Sequence, residues 1–176
     1  MIGALARAWA GLLAAMALAA CAVLFAMMLV IVGDVLLRNV AVPGLPRGIA
    51  WSNEVSELML YLTTVLVAPW LLRQGQHIRV DILLQAIPPR LAWVLEWVAD
   101  VIGLACCLVI TWYASRAAWA SYVDGALSIK TLVTPEWWSL APLPVVFAML
   151  SVEMVFRMVR LARSERGPRK DAVSAA

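Results

Sequence analysis

Between Ala8 and Gly33 the chain runs for twenty-six residues without one charged side chain. About 20 apolar residues in a helix are enough to cross the roughly 30 Å hydrocarbon core of a bilayer. Over all 176 residues, 64% are hydrophobic and 14% are charged, a balance far from that of soluble domains. The sequence therefore excludes a mainly soluble protein and predicts an integral membrane protein.

Four largely apolar stretches are long enough to span a bilayer as helices. They lie at about 8–36, 53–72, 91–122 and 135–161. We therefore predict an all-α integral membrane protein that forms a single four-helix domain over 1–176 and ends in a basic tail at about 162–176. Pro142 and Pro144 predict a kink in the first half of the fourth helix.

A shorter amphipathic segment follows the second span, at about 78–87. Its apolar positions are interrupted by Arg79, Asp81 and Gln85, and it is too short to cross the bilayer. We expect a short interfacial helix that lies along the membrane surface.

The distribution of Lys and Arg predicts the orientation of the chain. If the amino terminus is cytoplasmic, three cations fall outside, namely Arg38, Arg47 and Lys130. Nine fall inside: Arg7, Arg73, Arg79, Arg90, Arg160, Arg163, Arg166, Arg169 and Lys170. Because cytoplasmic connections carry an excess of Lys and Arg, we expect both termini in the cytoplasm. The basic tail is more easily explained by anionic lipid than by nucleic acid.

Ionisable residues of the spans lie near the helix ends rather than at the midplane. Asp34 with Arg38, and Glu153 with Arg157, have the i,i+4 spacing at which opposite charges meet on one helix face, so both are candidate ion pairs. Glu96 and Asp100 have the same spacing with like charges and require a cation from another segment. The uncharged central turns favour structural pairing over an ion or proton relay.

Signatures of catalysis and cofactor binding are missing from the sequence. The only histidine is His77, so the chain alone does not supply two axial ligands for a haem. There is no HExxH, P-loop, nucleophile elbow or zinc-spaced Cys/His set. We therefore predict no enzymatic activity, no cofactor and no metal site.

The most specific motif is the block Gly75-Gln-His-Ile-Arg-Val-Asp81 after the second span. This block resembles the small membrane subunit, of DctQ type, of tripartite ATP-independent periplasmic (TRAP) transporters. Other matching elements occur in the expected order. The residues that carry the resemblance are Arg38, Trp51, Glu54, Gly75, His77, Ile78, Arg79, Val80, Asp81 and Pro144.

The resemblance implies partners and a function. In this family the small subunit is a non-catalytic scaffold in the bacterial inner membrane, bound to a large DctM-like permease subunit. The large subunit carries the substrate and sodium sites and moves as an elevator, and a DctP-like periplasmic protein delivers an organic acid. The resemblance further suggests that His77, Arg79 and Asp81 fix the turn after the second span.

An alternative function is a self-sufficient small exporter or channel built by homo-oligomerisation, because four-helix exporters have comparable spans. Such exporters depend on a membrane-embedded acid in the first helix. Asp34 lies too close to the end of that helix to fit this role well.

Overall fold

The computed structural model describes residues 2–40, 47–75 and 88–163. Four helical segments in this part of the chain are long and apolar enough to cross a membrane: Arg7–Asn39, Ser52–Gln74, Arg90–Asp124 and Trp137–Ala162. The predicted class, an all-α membrane protein with four spans, is confirmed. The predicted interfacial helix at 78–87 and the tail from 164 onward lie outside the described residues.

The elements follow one another as helix, helix, helix, hairpin and a divided fourth helix. In chain order they are α1 (Ile2–Asn39), α2 (Ser52–Gln74), α3 (Pro89–Asp124), β1 (Leu127–Ile129), β2 (Val133–Pro135), α4 (Trp137–Leu140) and α5 (Pro142–Arg163). The first three helices extend beyond their predicted apolar runs, by one or two residues at the ends of α2 and α3, by three at the end of α1 and by six at its start. The fourth span begins at Trp137, two residues inside its predicted run, and ends two residues beyond it. Helical hydrogen bonding continues into the polar last turns, which the hydrophobic run does not mark.

Prolines interrupt the helical ladder in two places. The fourth span is divided at Ala141 because Pro142 has no amide to donate to the preceding turn. The backbone of Ala141 itself stays helical, at φ −60° and ψ −36°. Pro144 follows within the first turn of α5. Pro69, inside α2, is fully buried and likewise removes one backbone donor. A kink was predicted at Pro142 and Pro144 from the sequence, whereas Pro69 was not singled out.

The chain divides into two compact units. Unit 1 is Met1–Val67 with Arg116–Pro142, and unit 2 is Ala68–Ser115 with Leu143–Ala176. Unit 1 contains α1, the first part of α2, the end of α3 and the hairpin. Unit 2 contains most of α3 and nearly all of α5.

The hairpin of unit 1 is a two-stranded antiparallel sheet that sequence analysis missed. Leu127 pairs with Pro135, Ser128 with Thr134, and Ile129 with Val133, so that residues 130–132 form the loop. Gly125 ends α3 with φ +62°, a left-handed conformation that favours glycine, and Ala126 donates to the Ser121 carbonyl at 3.2 Å.

Among the described residues, fewer apolar side chains are buried in unit 1 than in unit 2. The buried apolar side chains of unit 1 are Leu13 and Ala20, whereas those of unit 2 include Leu72, Ala92, Val146, Leu150 and Leu161. Within unit 2 an added Cβ on Gly103 would lie 2.8 Å from Met154 Cε, so α3 and α5 pack closely at this glycine. Many large apolar side chains on the spans are exposed, as expected where lipid is the solvent.

Candidate functional site

Asp34, near the end of α1, binds three groups that follow it in the chain. Its carboxylate accepts from Arg38 Nε at 2.8 Å and from the Ile49 amide at 2.6 Å. The Ser52 hydroxyl also hydrogen-bonds to it. The Asp34 side chain is only 8% exposed. One carboxylate thereby joins the end of α1 to the start of α2.

Gly48 fits tightly against this carboxylate. Its φ of +99° is one that side-chain-bearing residues rarely adopt. An added Cβ would also lie 2.9 Å from Arg38 Cγ and 3.2 Å from Asp34 Oδ1. The backbone can therefore approach the Asp34–Arg38 pair only because residue 48 has no side chain.

Two acids on the first turns of α2 hold the loop of the hairpin. The two carboxylate oxygens of Glu54 accept from the amides of Thr131 at 2.6 Å and Leu132 at 2.9 Å. Glu57 accepts from Lys130 Nζ at 2.9 Å. These bonds join residues more than seventy positions apart in the chain. The loop amides, which no strand partner satisfies, find acceptors here.

Lys130 lies outside the spans and interacts electrostatically with both Glu54 and Glu57. Its hydrogen bond to Glu57 and the negative charges of Glu57 and Glu54 raise the pKa of its ammonium above the ordinary lysine value. Because Lys130 and Glu57 are 50% and 71% exposed, water screens this pair and limits its contribution to stability.

Two buried carboxylates of unit 2 contact arginines. Glu153 on α5 is completely buried, and its two oxygens lie 2.8 Å from Arg160 Nη2 and 3.7 Å from Arg73 Nη1. Arg73 comes from the last turn of α2, so this acid joins α5 to α2. A buried carboxylate needs such partners because its desolvation is costly.

Asp100 on α3 forms the second carboxylate–arginine contact of unit 2. Its side chain is 2% exposed and lies 2.9 Å from Arg157 Nε on α5. Arg157 thus brings a cation from another segment to this pair, at Asp100. Glu96, one turn earlier on α3, is also buried. We call Asp34 and Glu54 the amide-bound carboxylates, and Asp100 and Glu153 the arginine-bound carboxylates.

The structure brings some of the predicted site residues together and leaves others apart. Arg38 contacts Asp34, as described above. Arg157 contacts Asp100, and its pairing with Glu153 stays a prediction. Trp51 is 40% exposed. Gly75 follows the end of α2 with φ +70°. The remaining motif residues lie outside the described part of the chain, namely His77, Ile78, Arg79, Val80 and Asp81.

Sequence reasoning missed three partners in these clusters. Arg73, Arg160 and Lys130 were noted only for orientation, because their acids lie seven or more positions away, beyond the range of the i,i+4 rule. A signal for the hairpin was present in the alternation of Leu127-Ser-Ile129 and in Val133-Thr-Pro135.

The central turns of the spans are without charge. The stretches 8–33, 58–72, 101–115 and 137–152 carry no Asp, Glu, Lys or Arg. Within residues 2–40, 47–75 and 88–163, no group of three or more His, Cys, Asp or Glu is arranged to hold a metal ion. The charged side chains thus join helices and loops at the ends of the spans and leave the middle apolar.

These features define a multi-pass helical membrane protein whose charges connect its own elements. Residues 27–164 match the family model of the DctQ component of tripartite ATP-independent periplasmic transporters. The chain belongs to this family and is a small permease subunit of a TRAP transporter, a multi-pass protein of the bacterial inner membrane. No curated protein shows a significant match to the chain.

Proposed function

We propose that this subunit is a non-catalytic scaffold for a large, DctM-like permease subunit. In this proposal the large subunit works as an elevator and couples sodium entry to uptake of an organic acid, which a DctP-like periplasmic protein delivers. Membership of the DctQ family supports the transporter part of the proposal. The single observation that carries the scaffold role is the absence of charge from the central turns of all four spans.

The contacts of the charged residues support the same role. A relay or coupled ion site is expected near the midplane, where transporters commonly place substrate and ion sites. Here the acids on α1, α2, α3 and α5 lie within a few turns of the helix ends and bind Arg, Lys or backbone amides of the same chain. Such bonds hold elements in place and would resist a moving, alternately accessible site.

The first helix is the best candidate for contact with the large subunit. In the apolar 18-residue stretch of α1, 6% of the residues are buried within the chain, against 17% in the corresponding stretch of each of the other three spans. An added Cβ on Gly11 meets no other atom within 4 Å, and small residues allow close helix approach in membranes. We expect Gly11→Leu to reduce co-purification with the large subunit without lowering the melting temperature of the isolated chain. Equal co-purification would exclude this helix face as the contact.

The motif after α2 is proposed to set the geometry at the cytoplasmic side. Gly75 takes the left-handed conformation that ends a helix, which explains a glycine at the start of the motif. We expect His77→Ala and Asp81→Ala to lower assembly with the large subunit, and Gln76→Ala, in the same motif, to have little effect. Substrate affinity of the periplasmic protein alone should stay the same in all three variants, and a changed affinity would contradict the scaffold role.

Both termini are proposed to be cytoplasmic, since the positive-inside rule supports this orientation. Reporter fusions test it directly. A green fluorescent protein fused after Ala176 should fluoresce, whereas alkaline phosphatase at that position should be inactive. The opposite pattern would reverse the orientation.

The main test is reconstitution. Co-expression with the large permease should give a stable complex in nanodiscs, and liposomes should take up the organic acid only when the small subunit, the large subunit, the periplasmic protein and a sodium gradient are all present. The rival function, a self-sufficient exporter or channel, predicts saturable solute transport by liposomes that contain this chain alone. That result would overturn the scaffold proposal.

A further inference from the structure

The hairpin of unit 1 has its apolar side chains on the outside. Leu127, Ile129 and Val133 share one face of the sheet and are 56%, 83% and 60% exposed. Ser128 and Thr134, which pair on the opposite face, are half-buried. A sheet in water shows the reverse pattern, with its apolar face on the protein. We call Leu127, Ile129 and Val133 the outer face of the hairpin.

The loop of the hairpin is held by hydrogen bonds, so the outer face is not exposed merely because the loop is loose. Glu54 accepts from two consecutive loop amides, and Glu57 accepts from Lys130. At the base, the Glu136 amide donates to the Ala126 carbonyl at 3.0 Å and extends the ladder. With its loop and base both held by hydrogen bonds, the hairpin keeps the outer face exposed.

Exposed aromatic residues of the same unit precede and follow the hairpin in the chain. Trp119 and Tyr122, on the last turns of α3, are 68% and 59% exposed, and Trp138 on α4 is 56% exposed. Their rings form a chain through Trp137, with centroid separations of 6.0, 5.6 and 6.1 Å. Trp and Tyr are enriched where hydrocarbon meets the lipid headgroups, so this ring chain marks the bilayer boundary at the end of α3.

Position and hydrogen bonding define how deep the hairpin can lie. Leu127 follows the end of α3 by three residues, which places the strands close to the boundary that the rings mark. The described sheet has two strands, and each has an edge whose backbone groups lack a ladder partner. Backbone groups without partners are too costly to place in the hydrocarbon core, and exposed apolar side chains are unfavourable in bulk water. The headgroup region meets both requirements.

We propose that the outer face of the hairpin binds the lipid bilayer, with Leu127, Ile129 and Val133 inserted at the boundary between headgroups and acyl chains. The hairpin is thereby a membrane-surface anchor that follows the aromatic end of α3 in the chain. This inference goes beyond the transport role and does not depend on it, because it concerns the bilayer contact of the chain itself.

Fluorescence quenching of the full-length protein tests the proposal. Cys21, Cys106 and Cys107 are replaced by Ala, and a single cysteine is introduced by Ile129→Cys and labelled with the environment-sensitive dye NBD. Val133→Cys reports the same face, and Ser128→Cys is the matched control on the opposite face. The proteins are reconstituted in phospholipid vesicles that contain nitroxides at the headgroup, at carbon 5 or at carbon 12 of the acyl chain, and iodide is used as the aqueous quencher.

Dyes at 129 and 133 are expected to be quenched most by the headgroup and carbon 5 nitroxides, with iodide quenching several-fold lower than for a water-exposed dye. The dye at 128 should show much weaker lipid quenching. Strong iodide quenching at 129 and 133 without lipid quenching would overturn the proposal in favour of a solvated hairpin. Protection from both quenchers would overturn it in favour of a covering protein, and repeating the measurement with and without the large subunit would identify that protein.

Discussion

The two kinds of carboxylate in this protein solve different problems. The amide-bound carboxylates, Asp34 and Glu54, lie in unit 1 and satisfy backbone N–H groups of loops that no regular structure pairs. The arginine-bound carboxylates, Asp100 and Glu153, lie in unit 2 and are at most 2% exposed. The first kind fixes where connections begin and end, and the second kind joins one helix to another.

The difference shows where a membrane subunit places its strongest interactions. Water can replace a lost partner of Glu54, whose bonds to the hairpin loop are exposed, whereas it cannot do so for the buried carboxylates, Asp34 included. The joining of helices in unit 2 therefore depends on two buried acids, and the hairpin loop of unit 1 is held by bonds that water can partly replace. Four substitutions test this comparison, in order of decreasing effect.

Glu153→Gln is expected to have the largest effect. It removes the buried charge that Arg73 and Arg160 share, and we expect a loss of about 3 kcal/mol, at the low end for a broken buried pair, because both arginines retain some exposure. Thermal stability of the detergent-solubilised protein, followed by size-exclusion chromatography, measures the loss. Glu136→Gln, the same change at an exposed position, is the control. Equal melting temperatures for both variants would remove the distinction between the two kinds of carboxylate.

Gly48→Ala is expected to follow, with a loss of about 1–3 kcal/mol, because it combines a left-handed backbone with a Cβ that meets the Asp34–Arg38 pair. Gly11→Ala is the matched control in open space within α1, and it should raise stability by about 0.5–1 kcal/mol. The same thermal assay separates the two. A neutral Gly48→Ala would show that the loop beside Asp34 adapts freely.

Glu54→Gln should act locally. It leaves one carbonyl oxygen for two loop amides, so hydrogen exchange should become faster at Thr131 and Leu132 while exchange in α3 and α5 is unchanged. Mass spectrometry of the membrane-embedded protein measures this exchange. Faster exchange within unit 2 as well would show that the effect of the hairpin bonds reaches beyond unit 1.

Lys130→Met is expected to have the smallest effect. The pair with Glu57 raises the pKa of Lys130, so its contribution is complete below the ordinary lysine pKa and is lost as the pH rises through the higher value in the folded protein. Melting temperatures of wild type and variant should therefore differ slightly near pH 8 and converge in strongly alkaline buffer. A difference that grows with pH would contradict the assigned sign.

Bilayer thickness explains why the four spans could be predicted from the sequence. A helix must be long and apolar to cross hydrocarbon, so the runs between Ala8 and Leu161 mark the spans directly. The first three helices extend past their predicted runs because their polar end turns keep their hydrogen bonds.

The partners of the charged residues could be predicted only where they are local. Asp34 and Arg38 lie one turn apart on one helix, and the i,i+4 rule places them together. Glu54 meets its amides 77 and 78 residues later, and Glu153 meets an arginine 80 residues earlier. Such pairs depend on how separate elements pack, which a single sequence does not reveal. The hairpin escaped notice because strands of three residues give too short an alternation to stand out beside long apolar helices.

Glu153 also controls the angular setting of α5. Because each helical residue advances the side-chain direction by about 100°, an alanine inserted between Leu150 and Glu153 would swing the carboxylate away from Arg73 while leaving the upstream part of the helix in place. Only one azimuth of this helix lets the acid meet an arginine from α2. The contact of this one carboxylate with Arg73 therefore opposes rotation of the end of α5 about its own axis.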